Sequence, residues 1–187
     1  MKAGVRALGL AESYRGEQST LAGAVVRADR TTDGFVFDTL TVGGTDATQT
    51  VVSAFDRLGR EDVRSLFVAG IAPAWFNLLD LPAVHGAVDR PVLSVSFEAS
   101  PGLEGALRES FSGEALDERL EIYRRQPARQ RLTVNGETVF VQSVGLDDEE
   151  AADVVRAFTP EGGRPEPLRV ARLAARAADE AFVESED

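Results

Sequence analysis

The chain has 187 residues, 43% of them hydrophobic, enough for a single domain (1–187) with a sizeable core. Thirty-one acids oppose 20 bases, only one of them a lysine (Lys2), for a net charge of -11; such a surface fits a high-salt cytoplasm or a GC-rich genome, and it confines phosphate binding to a local arginine patch, aided by bound metal. No apolar run nears the ~20 residues of a membrane span, no cysteine offers a disulfide or thiolate site, and Met1–Arg6 lacks a signal-peptide core, so a cytoplasmic protein without membrane attachment is expected.

Val5–Ala11 reads as a first buried strand, and Thr20–Arg27 and Gly34–Val42 read as two more, rich in β-branched and aromatic residues. Asp33-Gly34, in the link Asp29–Gly34, signals a tight hairpin, so the three strands form an antiparallel meander. Ala47–Leu58 has helical spacing at Val51, Val52, Phe55 and Leu58. Ser65–Ala69 and Pro91–Phe97 are short buried strands, with a helix over Phe76–Val88 that Pro82 weakens. Leu103–Phe111 and Glu114–Arg125 are amphipathic helices. Asn135-Gly136 joins strands Arg131–Val134 and Thr138–Gln142 in a type I′ hairpin. Asp147–Phe158 is a helix opened by acids. Gly162–Pro167 is a rigid connector to a last helix over Leu168–Phe182, and Glu184–Asp187 reads as a frayed tail. Periodicity alone gives an α/β fold with one mixed sheet flanked by helices.

Several side chains sit where chemistry could be done. Glu12 stands just beyond the first predicted strand, where a carboxylate can reach a metal from a fixed backbone. Asp46 follows Gly43-Gly44 and opens a helix; it can face a metal, or cap the helix with Gln49 completing a capping box. Asn77 and Asp80 follow Trp75-Phe76, and Glu98 and Asp38 are further carboxylates in reach of a strand end or face. Arg169, Arg172 and Arg176 are spaced as neighbours on the last helix and, with Arg164, can form a phosphate-binding stripe or pair with surface acids. Trp75-Phe76 can stack on an extruded base or belong to the core. His85, the sole histidine, reads as structural, and no serine has a histidine partner for a triad. The glycine-rich pieces match no nucleotide-binding fingerprint.

Pro165-Glu-Pro-Leu-Arg-Val-Ala171 resembles the Pro-Glu-Pro-x-Arg-x-Ala approach to the last helix of endonuclease V. With Leu8-Gly-Leu-Ala-Glu-Ser-Tyr14, Val42-Gly-Gly-Thr-Asp-Ala-Thr48, Trp75-Phe-Asn-Leu-Leu-Asp-Leu81 and Phe158–Pro167, in order and over nearly the whole chain, the sequence resembles the archaeal endonuclease dU family, a relative of endonuclease V. The resemblance implies a ribonuclease H-like fold, with antiparallel strands one to three followed by parallel strands. It implies Mg²⁺- or Mn²⁺-dependent cleavage of DNA, single-stranded or damaged, at deoxyuridine, as in DNA repair, with RNA as another candidate substrate. It sets Glu12 and Asp46 near the metal ligands of endonuclease V; beside it, the residues themselves offer Asp80 as a further catalytic acid and Arg164, Arg169, Arg172, Arg176, Trp75 and Asn77 as nucleic-acid contacts. The chain departs from endonuclease V at three places: a gapless match sets Ala11 against its first metal-binding Asp, Ala69 stands where an Asp-Gly pair is expected, and Arg172 stands where His or Asp follows the Pro-Glu-Pro motif. These departures keep open a second reading, a non-catalytic ribonuclease H-like module that binds nucleic acid or protein.

Overall fold

The computed structural model describes residues 1–183; the predicted tail at Glu184–Asp187 lies outside them. One seven-stranded sheet runs in the order β3-β2-β1-β4-β5-β7-β6. Its strands are β1 (Arg6–Arg15), β2 (Gln18–Arg27), β3 (Thr32–Thr41), β4 (Val63–Val68), β5 (Val92–Ser96), β6 (Gln130–Val134) and β7 (Glu137–Val144). β1, β2 and β3 form the expected meander, and β4 and β5 add parallel to β1. The hairpin β6–β7 closes the sheet antiparallel to β5, so the sheet is mixed at both ends. Its turn residues Asn135 and Gly136 both have positive φ, as a type I′ turn requires.

Side-chain alternation sorts the core into two layers. Leu8, Leu10, Leu21, Val36 and Leu40 face α1 (Ala47–Leu58) and a later helix, α3 (Leu81–Val88). Ala7, Gly9 and Ala11 face α7 (Glu166–Val183), and α6 (Asp148–Ala157) packs beside the β6–β7 hairpin. Small residues on that face of β1 let α7 lie directly on the strand. A Cβ added at Gly9 would fall 2.2 Å from the carbonyl carbon and oxygen of Pro167. This contact explains why the Pro-Glu-Pro turn and the first strand belong together in the sequence pattern. Helices α4 (Glu104–Ser110) and α5 (Gly113–Arg125) form a smaller cluster around Leu78, Leu107 and Leu120. Among the described residues no helix is long and apolar enough to cross a membrane.

Several local expectations are corrected. β1 runs on to Arg15, so Glu12 lies inside the strand rather than beyond it. The β2–β3 turn is built on Asp29 and Arg30, with the Asp29 carboxylate accepting the Thr31 N–H, while Gly34 pairs with Val25 inside the ladder. Asp33 is instead an ion-pair hub for Arg6, Arg27 and Arg60. The predicted helix over Phe76–Val88 divides. A single turn, α2 (Pro73–Phe76), is followed by extended chain, and α3 starts only at Leu81, with Pro82 in its first turn where a missing N–H costs nothing. The last helix begins at Glu166, two residues early, because Pro167 also fits a first turn.

Candidate active site

β1, β3, β4 and β5 all end at the same edge of the sheet, the edge where α/β proteins gather ligand-binding loops. β1 overhangs it: its pairing with β4 stops at Leu10–Val68, leaving Glu12 past the end of β4. β1 neither ends nor bulges at Ala11–Glu12 in its ladder with β2, so the two side chains take opposite faces and Glu12 does not stand in the place of the metal-binding Asp that Ala11 matches. Ala11 packs under α7, and Glu12 sits opposite Leu21 on the α1 face, where it accepts a hydrogen bond from Ser19 Oγ. Glu12 borders a narrow pocket of about 30 Å³ whose walls include Ala69, Gly70 and Pro73. Ala69, the departure from the expected Asp, therefore stands beside Glu12.

Asp46 reaches the edge from the start of α1, but it does not cap that helix, and Gln49 bonds Ser53 instead of completing a capping box. Its carboxylate accepts from the Thr41 N–H and Oγ1 and from the Asn77 amide. Burial pushes the Asp46 pKa up; the hydrogen bonds from Asn77 and Thr41 outweigh it and hold the carboxyl below its ordinary value, ionised at neutral pH. Asn77 supplies the missing cap from a distance. Its Oδ1 accepts the Ala47 N–H at 2.9 Å while its Nδ2 donates to Thr41 O and Asp46. With no solvent exposure and its polar atoms bonded inside the protein, Asn77 is a tie between loops and not the expected nucleic-acid contact.

Asp80 is also committed. Its Oδ1 caps α3 at Ala83 N–H and its Oδ2 pairs with Arg125 at 2.7 Å, so this buried carboxylate organises the helix start instead of completing a cluster with Glu12 and Asp46. Asp38 pairs with Arg57 at 2.8 Å, and His85 Nδ1 bonds Arg90 O. Among the described residues no three His, Asp or Glu side chains group closely enough to hold a metal ion.

The arginines separate into two kinds. Arg169 forms a double ion pair with Glu166, at 2.6 and 2.7 Å, so the stripe loses one member. Arg164 lays its guanidinium 4.0 Å over the ring of Phe97, at the end of β5. Burial, and then the positive charges of Arg172 and Arg176, lower its pKa from the ordinary value. Three guanidinium groups thus repel one another near the β5 end, and none of the three has an acidic side chain in a hydrogen bond or ion pair among the described residues. A doubly oxygenated anion such as phosphate relieves that repulsion.

Beside this edge lies an open cleft of about 850 Å³, lined among others by Gly70, Tyr123, Arg129, Phe140 and Gln142. Ala69 and Gly70 border both this cleft and the pocket of Glu12. Arg129 is fixed by Ser96 Oγ and Glu98 O and stacks 4.5 Å over Phe140. Glu98 is exposed on the cleft rim. Trp75 is not core: its indole is 50% exposed, on a turn where Ala74, Trp75 and Phe76 all have left-handed φ of 45–60°. Each such residue costs about 1–2 kcal/mol. Arg119 clamps that turn. Only 4% exposed, it donates to the carbonyls of Phe76, Ala115, Gly43 and Gly44. Arg119 was missed in the sequence, although a charge at the level of the apolar stripe Leu116, Leu120, Tyr123 is the signal that marks it.

The sequence pattern of the Endonuclease dU family matches residues 3–179. The UPF0215 protein of Pyrobaculum calidifontis is 34% identical over 172 residues, 90% of this chain and 93% of that one. The crystal structure of a protein of unknown function from Archaeoglobus fulgidus superposes with a TM-score of 0.83 at 28% identity, covering 92% of this chain and 97% of that one. Endonuclease V of Ciona intestinalis, in complex with DNA containing an inosine followed by a ribo-adenosine, superposes with a TM-score of 0.62 at 10% identity, covering 95% of this chain and 86% of that one. The likeness to endonuclease V is one of fold, the ribonuclease H-like one. By family pattern and by relatives matched over nearly their whole length, the chain belongs to the Endonuclease dU family.

Proposed function

We propose that this protein is a metal-dependent endonuclease of the cytoplasm that cleaves DNA at deoxyuridine. The observation that carries the reading is the group Arg164, Arg172 and Arg176, which has no acidic partner among the described residues on a chain of net charge -11. These arginines bind phosphate oxygens and steady charge that develops there during cleavage. The neighbouring cleft is large enough for a base taken out of the stack, with Tyr123 and Phe140 as apolar wall and Arg129 and Gln142 as polar partners for a pyrimidine edge.

Glu12 and Asp46 are the residues that would hold Mg²⁺ or Mn²⁺. Two carboxylates suit magnesium, which takes one or two and fills its shell with water and substrate phosphate. Bound there, the ion would neutralise phosphate charge and make its water a better nucleophile. Asp46 is already ionised by its hydrogen bonds, and Asn77 and Thr41 keep it from turning away.

Ala69 favours a second reading, a binding module without cleavage, because the third carboxylate is replaced by a methyl group beside Glu12. Strands carrying one uracil, one hypoxanthine or one ribonucleotide, incubated with and without Mg²⁺ or Mn²⁺, decide between them. Cutting of the uracil strand only with metal, abolished in Asp46→Asn, is expected. Cutting that persists in EDTA, or in Asp46→Asn, defeats the proposal; binding of all strands with no cutting establishes the module.

A further inference from the structure

We propose that Trp75 is a fixed stacking platform for an unpaired base of the DNA strand, next to the phosphate that is cut. The inference rests on the nucleic-acid reading above and assigns the element that grips the strand beside Asp46.

The turn that carries Trp75 is over-built for a connector. Three consecutive non-glycine residues hold left-handed backbone. The Asn77 N–H to Pro73 O bond closes the turn at 3.1 Å, and the Gly43 N–H ties Ala74 O at 2.7 Å. Arg119, a buried cation, is bonded to the carbonyls of both Phe76 and Gly43, locking the two loops into one block. Phe111 lies between Arg119, 4.0 Å above its ring, and the indole of Trp75, 5.2 Å between centroids. Phe76 meets the indole edge at 62°. Gly43 presses on the indole from beneath: a Cβ there would stand 2.8 Å from Cε3.

All this support converges on a side chain left half in water. A tryptophan that served packing would be buried, as a strained turn with a buried arginine has every reason to be. Aromatic faces held in water next to phosphate sites stack on bases, and do so with little regard to sequence because every base has a π-face. The turn adjoins the candidate acid through Asn77, which bonds Asp46. Its apolar backing, Phe76 and Phe111 with Leu103 and Tyr123, continues into the wall of the cleft. A strand crossing the edge at this point meets Asp46, the indole and the mouth of the cleft in turn.

Trp75 is the sole tryptophan, so its emission reads stacking directly. The full chain is titrated in EDTA with twelve-nucleotide oligo(dT), and with a strand of equal length made of abasic tetrahydrofuran nucleotides, which keeps the phosphates and lacks the bases. Fluorescein-labelled copies report binding by anisotropy. Oligo(dT) is expected to quench the indole saturably; the abasic strand is expected to bind about 5- to 150-fold more weakly and leave the emission unchanged. Trp75→Ala is expected to lose the advantage of oligo(dT), and Trp75→Phe to keep most of it. Oligo(dT) binding with no change in indole emission, or Trp75→Ala binding like the wild type, overturns the platform; if that protein still cuts DNA with Mg²⁺, the nuclease stands without it. Quenching by oligo(dT) in a protein that never cuts supports the platform and removes the nuclease. A chain that binds neither strand refutes both.

Discussion

Asn77→Ala would remove the tie between the first helix and the turn of Trp75. Three bonds go: to the Ala47 N–H, to Thr41 O and to the ionised Asp46. Thr41 is exposed and its carbonyl can take water, but Ala47 is fully buried and its N–H is orphaned. The orphan costs about 1–3 kcal/mol and the bond to a charged group about 1.5–3. We expect a loss of about 3–5 kcal/mol, measured as a shifted urea midpoint at unchanged slope. Asn77→Asp separates the causes. It can still accept from Ala47, but it sets a second carboxyl against Asp46, and the pair must share a proton, which raises its pKa above the ordinary range. Stability is then fully present below the unfolded carboxylate pKa and is lost as pH rises from there through the raised folded pKa, so the deficit should widen from about pH 4 upward. Adding Asp46→Asn to Asn77→Asp restores one donor and one acceptor and should recover part of the loss. A cost below about 1 kcal/mol for Asn77→Ala, or a deficit in Asn77→Asp that ignores pH, would refute the role given to this side chain.

Arg172→Ala should weaken DNA binding equally for every base and reduce the slope of log affinity against log salt by about one unit, whereas Arg169→Ala, whose side chain pairs with Glu166, should leave the slope unchanged. Gly9→Ala drives a methyl into Pro167 and should cost about 1–3 kcal/mol or more in urea denaturation, because the obstacle is backbone and cannot swing aside. Asp33, with Arg27 and Arg6 donating to it, has its pKa pushed down to about 2. Its stabilisation is present above the unfolded carboxylate pKa and lost as pH falls toward 2, so thermal melts of Asp33→Asn should lie below the wild type at pH 7 and converge with it at pH 2.

The strands were legible where alternation and turn chemistry agree, as in β2, in β3 and in the Asn135-Gly136 hairpin. The end of β1 was not, because Glu12 and Ser13 look like loop residues; their strand conformation comes from ladder bonds to β2, which no local pattern encodes. Asp80-Leu81-Pro82 carries a readable cap followed by a first-turn proline, but an acid in that place is equally the pattern of a metal ligand, and only the sheet and Arg125 separate the two. The turn at Ala74–Phe76 was beyond local reading: these residue types disfavour left-handed backbone, and it is Gly43 and Arg119, distant in sequence, that impose it. The grouping of Arg164 with Arg172 and Arg176 was half visible in the helical spacing, but its seat on Phe97 needed the sheet. Which arginine would turn to Glu166 is a choice made by i,i+3 geometry, and Arg169 is the one three residues on.

The contact of α7 with β1 has a bearing on how the molecule assembles. β1 is an early segment placed at the middle of the sheet, and the helix that covers it comes late: Ser13 and Asp179 touch although they are 166 residues apart in sequence. During synthesis, the meander and the parallel strands can pair long before that helix exists, leaving the stripe of Ala7, Gly9 and Ala11 open to water or to wrong partners. Closure over such a long loop is slow by its entropy. A ribosome-bound or truncated chain lacking residues 166–183 should therefore be sticky and protease-sensitive. Because Glu12 comes from the first strand and Arg172 and Arg176 from the last helix, the site proposed above cannot exist until that final docking step. Nuclease competence would then be withheld until the fold is finished.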